Sequence, residues 1–189
     1  AYEMLRSLVV SEMCIRDSII VVKSNTILSN IQLFDHPNYF RKDLYTSMNT
    51  LTYENLHETK KHVSIQFPYN TYLCSIPLDF TQVPLHWHND VEIIVIKKGC
   101  GIISVDTKPR VVKAGDIVLV RPGQLHSISQ HGKDCMEYEN ILFQTSLLYS
   151  ADSDPRTVGY FQPYFSLEYE LPWLFDDTCF FHEALSSCI

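Results

Sequence analysis

Glycine is scarce in this sequence, with six in 189 residues and none before Gly99. Glycine serves tight turns because it tolerates positive φ. The turn-rich part of the chain is therefore expected between Gly99 and Gly159. Basic residues are also few. Lys and Arg total 15 against 22 Asp and Glu, for a formal net charge of -7. An acidic chain repels phosphate backbones, which makes this chain a poor binder of DNA or RNA by itself. From residue 141 to the end, Arg156 is the one basic residue against seven acidic ones. A DNA-reading module shows the opposite bias. No CxxC pair occurs: Cys14, Cys74, Cys100, Cys135, Cys179 and Cys188 stand singly, against a zinc ribbon or thioredoxin-like site. No apolar run reaches the roughly 18 residues needed to cross a bilayer, so no membrane partner is expected. No secretory signal is evident, and free thiols in a cytoplasmic, reducing setting are expected.

What is present is an ordinary globular composition, 46% hydrophobic and 20% charged. The length suits one domain with appendages. Four stretches differ in texture. Residues 1–20 contain Ser11-Glu12-Met13-Cys14-Ile15-Arg16-Asp17-Ser18, which reads either as a translated sequencing-adaptor artefact or as a poorly structured leader. Residues 21–62 lack a clean period and read as an arm. Residues 63–150 carry short β-branched runs punctuated by Gly and Pro. Residues 151–189 read as a linker and the start of a helical segment. The chain begins at Ala1 and stops at Ile189 inside an expected helix, so it is expected to be a fragment. Asp177 or Thr178 is the expected cap of that helix, starting near Cys179, with Phe180, Phe181, Ala184, Leu185 and Cys188 as its apolar stripe.

In the third stretch, Val91–Ile96, Ile102–Val105, Arg110–Val112, Asp116–Val120, Leu125–Ile128 and Tyr138–Phe143 are expected strands. Short strands at this spacing indicate an all-β antiparallel sandwich or barrel. Gly99-Cys100-Gly101 is the expected tight hairpin between the first two.

The segment Pro84-Leu85-His86-Trp87-His88-Asn89-Asp90-Val91-Glu92 carries the chemistry. Alternate side chains of a strand share a face. His86, His88 and Glu92 have the same parity and would point together into a barrel. Two imidazoles and a carboxylate on one face suit a divalent first-row metal. His126 is the candidate fourth ligand, from a neighbouring strand. The other reading is a polar floor that hydrogen-bonds a small molecule without metal. Trp87 has opposite parity and is expected outside the barrel, under the arm. Asp90 is expected at the barrel mouth, Arg110 in solvent, and Asp116 bonding backbone amides in its turn. His36, His57, His62, His131 and His182 have no partners at metal spacing and read as surface or arm residues.

His86, His88, Glu92 and Gly99, followed by Gly115, Pro122, Gly123 and His126, resemble the two halves of the cupin signature. The second half departs slightly: one extra residue precedes Pro122, which is adjacent to Gly123, and Gln130 stands where many cupins carry Asn. The runs HWHNDVEIIVIKKGCGIISVD and VVKAGDIVLVRPGQLHS resemble the N-terminal sensor domain of AraC/XylS-type transcriptional regulators. That resemblance spans residues 63 to 148. It implies a cupin (double-stranded β-helix, jelly-roll) barrel that binds a small effector, such as a sugar or related metabolite, at His86, His88, Glu92 and His126. It further implies a homodimer, and DNA contact only through a C-terminal helix-turn-helix half absent from these residues. On this reading the chain is not an enzyme. The competing reading is a cupin metalloenzyme, a dioxygenase or isomerase, with Zn, Fe or Mn on the same four residues.

Overall fold

The computed structural model describes residues 50–64, 66–148, 161–166 and 172–189. The expected leader 1–20, most of the arm, and the expected loop around Asp152–Gly159 lie outside the described residues. The described elements run as helix α1 (Thr50–Glu54), strands β1 (Tyr69–Ile76), β2 (Gln82–His86), β3 (Val91–Val105), β4 (Lys108–Lys113), β5 (Ile117–Val120), β6 (His126–Gln130) and β7 (Met136–Phe143), helix α2 (Gln162–Phe165), strand β8 (Leu174–Phe175) and helix α3 (His182–Ser186). None of the described helices is long and apolar enough to cross a membrane.

Strand β3 organises the barrel. Its run of Val and Ile favours extended backbone, where branched side chains pack on a pleated surface. Its first part pairs antiparallel with β7 and β5, as Ile94 does with Asn140 and Val118. Its second part pairs with β4 and β6, as Ile103 does with Arg110 and Ile128. Strand β1 extends the first group through β7, β8 extends it through β5, and β2 completes the second through β6. The two groups enclose a core that includes Ile94, Ile96, Ile103, Val118, Ile128 and Tyr138, each at most 1% exposed. Burying each such aliphatic side chain contributes about 1.5–3 kcal/mol.

The expected hairpin at Gly99-Cys100-Gly101 is instead a bend inside one continuous strand. A register shift between Ile96 and Lys98 and the positive φ of Gly99 turn β3 from one sheet to the other. A Cβ on Gly99 would collide with the Cys135 carbonyl. The hairpin comes later. Asp106 (φ 50) and Thr107 (φ 63) form a two-residue turn joining β3 to β4, with the positive φ signs that match the twist of paired strands. Asp and Thr concealed this turn, because no glycine marks it.

The chain returns to the barrel beyond residue 150, where β8 pairs Phe175 with Ile117. The helix expected from Cys179 is shorter, starting at His182, and its N-cap Phe181 makes no side-chain cap bond. Asp176 rather than Asp177 accepts from the backbone and hydroxyl of Thr178, while Asp177 pairs with Lys113 at 3.2 Å.

Two substitutions test the backbone argument. Gly99→Ala should destabilise by more than about 1 kcal/mol, because it meets both positive φ and a carbonyl. Thr107→Gly should stabilise by up to about 1 kcal/mol by relieving a left-handed β-branched residue. Denaturant midpoints at constant m-value read both.

Candidate functional site

The four residues singled out by spacing do converge, but not on one extended strand. β2 ends at His86, β3 starts at Val91, and Trp87–Asp90 form a bridge residue and a bend between them. His86 pairs with His126 across β2 and β6. Gly123 N–H donates to the His88 carbonyl at 2.8 Å, which ties the His86–His88 segment to the Pro122–His126 segment. The imidazoles gather around one point: ring centroids of His86 and His126 are 4.1 Å apart with the rings tilted, and those of His88 and His126 are 4.9 Å apart, edge to face. Glu92 lies beneath them, its Oε2 3.1 Å from His88 Nε2 and 3.0 Å from His126 Nε2. His88, Glu92 and His126 are all buried, and His86 is partly exposed.

Backbone carbonyls fix the tautomers. His86 Nδ1–H donates to Pro84 O at 2.8 Å, His88 Nδ1–H to Asp90 O at 3.1 Å, and His126 Nδ1–H to Gln124 O at 2.9 Å. A carbonyl only accepts, so each Nδ1 must carry a proton. Every Nε2 is thereby turned toward the shared space, the same orientation that carbonyls impose on metal-ligating histidines. The three histidines offer donor atoms all within 4.8 Å of one another. His126 Nε2 is off the axis a hydrogen bond to Glu92 needs, and it is a buried nitrogen with no hydrogen-bond partner.

The electrostatics follow. His88 faces an acceptor at each ring nitrogen, so without a bound cation it is fully satisfied only as imidazolium. Burial opposes that charge, but the hydrogen bond and charge of Glu92 outweigh it and raise the His88 pKa. Burial likewise pushes Glu92 up, yet contact with His126 and His88 holds its carboxyl far below the usual carboxylate range. Desolvation and the neighbouring His126 lower His86. The arrangement offers three nitrogen lone pairs and a permanent carboxylate to any cation that replaces the shared proton.

Several expectations on single residues hold. Trp87 lies against the arm: its ring stacks on Tyr53 with centroids 4.7 Å apart, and its Nε1 donates to Tyr53 O at 2.8 Å. Asp116 accepts from the Lys113 backbone at 2.9 Å, and Arg110 is exposed. Sequence reasoning missed the arm's part in the site. Glu58 Oε2 lies 2.9 Å from His62 Nε2 and 3.7 Å from His86 Nε2. The backbone of Leu56–Glu58 bonds to Trp87 at both its N–H and its carbonyl, holding this segment over the barrel mouth. A cleft of about 600 Å³ opens there, lined by His57, Glu58, Lys60 and Lys61 of the arm and by His88, Asn89 and Asp90 of the barrel. The Glu58-to-His62 spacing was visible in sequence, but nothing in it pointed to the barrel. His131 was read as a partnerless surface residue. It is in fact grouped with Cys100 and Asp134.

The antiparallel barrel, with its inward His86, His88, Glu92 and His126, defines a cupin. The sequence model of the AraC-like ligand binding domain matches residues 79–174, and the chain belongs to that family. It is 27% identical over 128 residues to the uncharacterized HTH-type transcriptional regulator YdeC of Bacillus subtilis, a match covering 65% of this chain and 41% of that protein. The chain thus spans less than half the length of that curated relative. Among solved structures it is similar to a cupin protein from Bacteroides fragilis (23% identity, TM-score 0.40, covering 44% of this chain and 72% of the other). It is also similar to a cupin 2 conserved barrel domain protein from Salinispora arenicola (18%, TM-score 0.39, 48% and 75%).

In the metal-free chain, histidine NMR titration should place His88 above its ordinary 6.5 and His86 below 6.5. Glu92→Gln should bring His88 down, because burial is then opposed only by the charges of Glu58 and Asp90. The stability that this pair adds is full between the ordinary values of 4.5 for Glu92 and 6.5 for His88. It is lost as pH rises through the raised His88 value, and lost again as pH falls through the depressed Glu92 value. A His88 titration at or below 6.5 in the wild type would contradict the ion-pair assignment.

Proposed function

We propose that this chain is the effector-binding part of an AraC-type transcriptional regulator, and that the effector is a small polar molecule such as a sugar or related metabolite. The observation that carries this reading is the cleft shared between arm and barrel, which His88 of the histidine cluster lines. A molecule seated there touches both parts at once. Binding can bias their arrangement only if it contacts the alternatives differently, and a shared cleft supplies that difference. Arg121 offers a route onward: it follows β5, donates to Tyr164 O at 3.0 Å, and so links the segment leading to His126 with α2. DNA contact belongs to another part of the regulator, consistent with the net charge of -7 here. A second copy of this chain is the proposed protein partner, through the C-terminal segment, where Phe180 is 78% exposed. The proposed location is the cytoplasm.

A divalent first-row metal (zinc, iron or manganese) is proposed on His86, His88, Glu92 and His126, of which His88 also lines the cleft. What supports it is the carbonyl-fixed tautomers and the unpartnered His126 Nε2. When bound, the ion would act as a Lewis acid for an oxygen of the effector. The residues of the chain orient the imidazoles and keep Glu92 ionised. The same donor set would serve a metalloenzyme. The family match favours the sensor.

Elemental analysis of the purified chain should find one metal per chain, lost in the His86→Ala, His88→Ala double variant. No uptake of Zn²⁺, Mn²⁺ or Fe²⁺ would remove the metal from the proposal.

A panel of monosaccharides and sugar acids should contain a ligand that shifts Trp87 emission in a Trp173→Phe background, with the shift reduced by Tyr53→Ala. Binding with no change at Trp87 would count against an arm-linked sensor. Turnover of a panel member would favour the enzyme.

A further inference from the structure

Strand β3 clamps a short loop by both ends. Gly101 pairs with Gln130, the last residue of β6, and Gly99 pairs with Met136, the first residue of β7. Cys100 lies between those two pairs, so its side chain is held beside the loop 131–135. Two features close the approach. The Cys100 N–H donates to the Cys135 carbonyl at 3.2 Å, which only a glycine at position 99 permits. Within the loop, Asp134 N–H donates to the His131 carbonyl at 2.9 Å around Gly132 (φ 57), which folds His131 and Asp134 onto the same side. Gln130 Nε2 donates to Asp134 O at 3.1 Å and holds that turn.

Three donors of three kinds result. Cys100 Sγ is 3.1 Å from Asp134 Oδ2 and 3.9 Å from His131 Nδ1, and His131 Nδ1 is 3.0 Å from Asp134 Oδ2. A tetrahedral zinc ion, with Zn–S of about 2.3 Å and Zn–N of about 2.0–2.1 Å, sets its donor atoms roughly 3.3–3.6 Å apart. Adjustments of a few tenths of an ångström convert the present triangle into one face of such a tetrahedron. The backbone is already fixed at both loop ends, so little ordering entropy opposes that change. His131 and Asp134 are about half exposed on the side-chain level, at 45% and 53%, which leaves a fourth position open to water.

We propose that Cys100, His131 and Asp134 form a second cation site, outside the barrel interior, for a thiophilic divalent ion of the zinc type. Sulfur, nitrogen and one carboxylate together select a borderline-soft ion over magnesium or calcium, which take oxygen alone. Binding replaces the thiol proton, now shared toward Asp134, and releases it to solvent. The site shares no residue with His86, His88, Glu92 and His126, and the proposal stands whether or not those four hold metal.

Cobalt(II) is the probe, added to the full 189-residue chain under a non-thiol reductant. A thiolate bound to cobalt gives a charge-transfer absorption in the near ultraviolet. The barrel set contains no sulfur and cannot produce it. The expected result is a band that saturates at one cobalt per chain and is bleached by zinc. It should be absent in Cys100→Ser and present in Cys135→Ser, whose exposed thiol is the nearest competitor. Asp134→Asn should weaken cobalt binding at this band by at least about tenfold. These side chains are partly or largely exposed, so the variants should keep the wild-type circular dichroism spectrum. No band in the wild-type chain at saturating cobalt, a band that survives Cys100→Ser, or a band lost in Cys135→Ser would each overturn the proposal.

Discussion

The long strand β3 is the constraint on which the rest of the structure depends. Its 15 residues pair with β7 and β5 in one half and with β4 and β6 in the other. Both walls of the barrel therefore hang from one covalently continuous element. Its interior positions, among them Ile94, Ile96 and Ile103, supply the centre of the core. The bend at Gly99 is what lets one strand serve two sheets. A strand without it would run on as a flat edge, with unpaired backbone groups and an exposed apolar face.

The same strand sets the chemistry. Glu92 enters the site from its first turn of pairing, opposite Leu142 and Val120, and is 3% exposed. A buried carboxylate is costly unless charge and hydrogen bonds compensate it. His88 hydrogen-bonds it and His126 lies 3.0 Å from it, and carbonyls of the neighbouring loops hold the Nδ1 groups of both. The polar cluster is thus built as a unit: each member is stable inside the barrel only because the others are there. This interdependence fixes the geometry of the cluster. The arm meets the barrel through the stacked Tyr53 and Trp87 rings, backbone hydrogen bonds at Trp87, bonds from Trp87 Nε1 to Tyr53 O and from the Tyr53 hydroxyl to Gly123 O, and the partly exposed Glu58.

Much of this was legible in the chain before folding. The β-branched runs gave the strands from Val91 to Phe143, because period and residue type act locally. The spacing of His86, His88, Glu92 and His126 gave the cluster, although the assumed parity along one strand was not the mechanism. Trp87–Asp90 break the extension, and the cluster forms through pairing of β2 with β6 and of β3 with its neighbours. Local signals misled at Gly99–Gly101, where a hairpin was expected. Glycine there answers a collision with a carbonyl 36 residues away in sequence, at Cys135. The true turn, at Asp106 and Thr107, carried no glycine to mark it. The short strand β8 was also missed, since two residues make no period.

By itself, then, the sequence determined what depends on near neighbours: an acidic chain, a β-rich middle, and four metal- or ligand-competent side chains at a recognisable spacing. Tertiary structure alone decided what depends on distant segments meeting. It turned Glu58 of the arm toward His86. It also brought Cys100 to His131 and Asp134, which lie 31 and 34 residues further along. Spacing within a segment fixes which side chains share a face. Which faces come together is set by strand pairing and core burial, whose energies are summed over the whole chain and are not written at any one position.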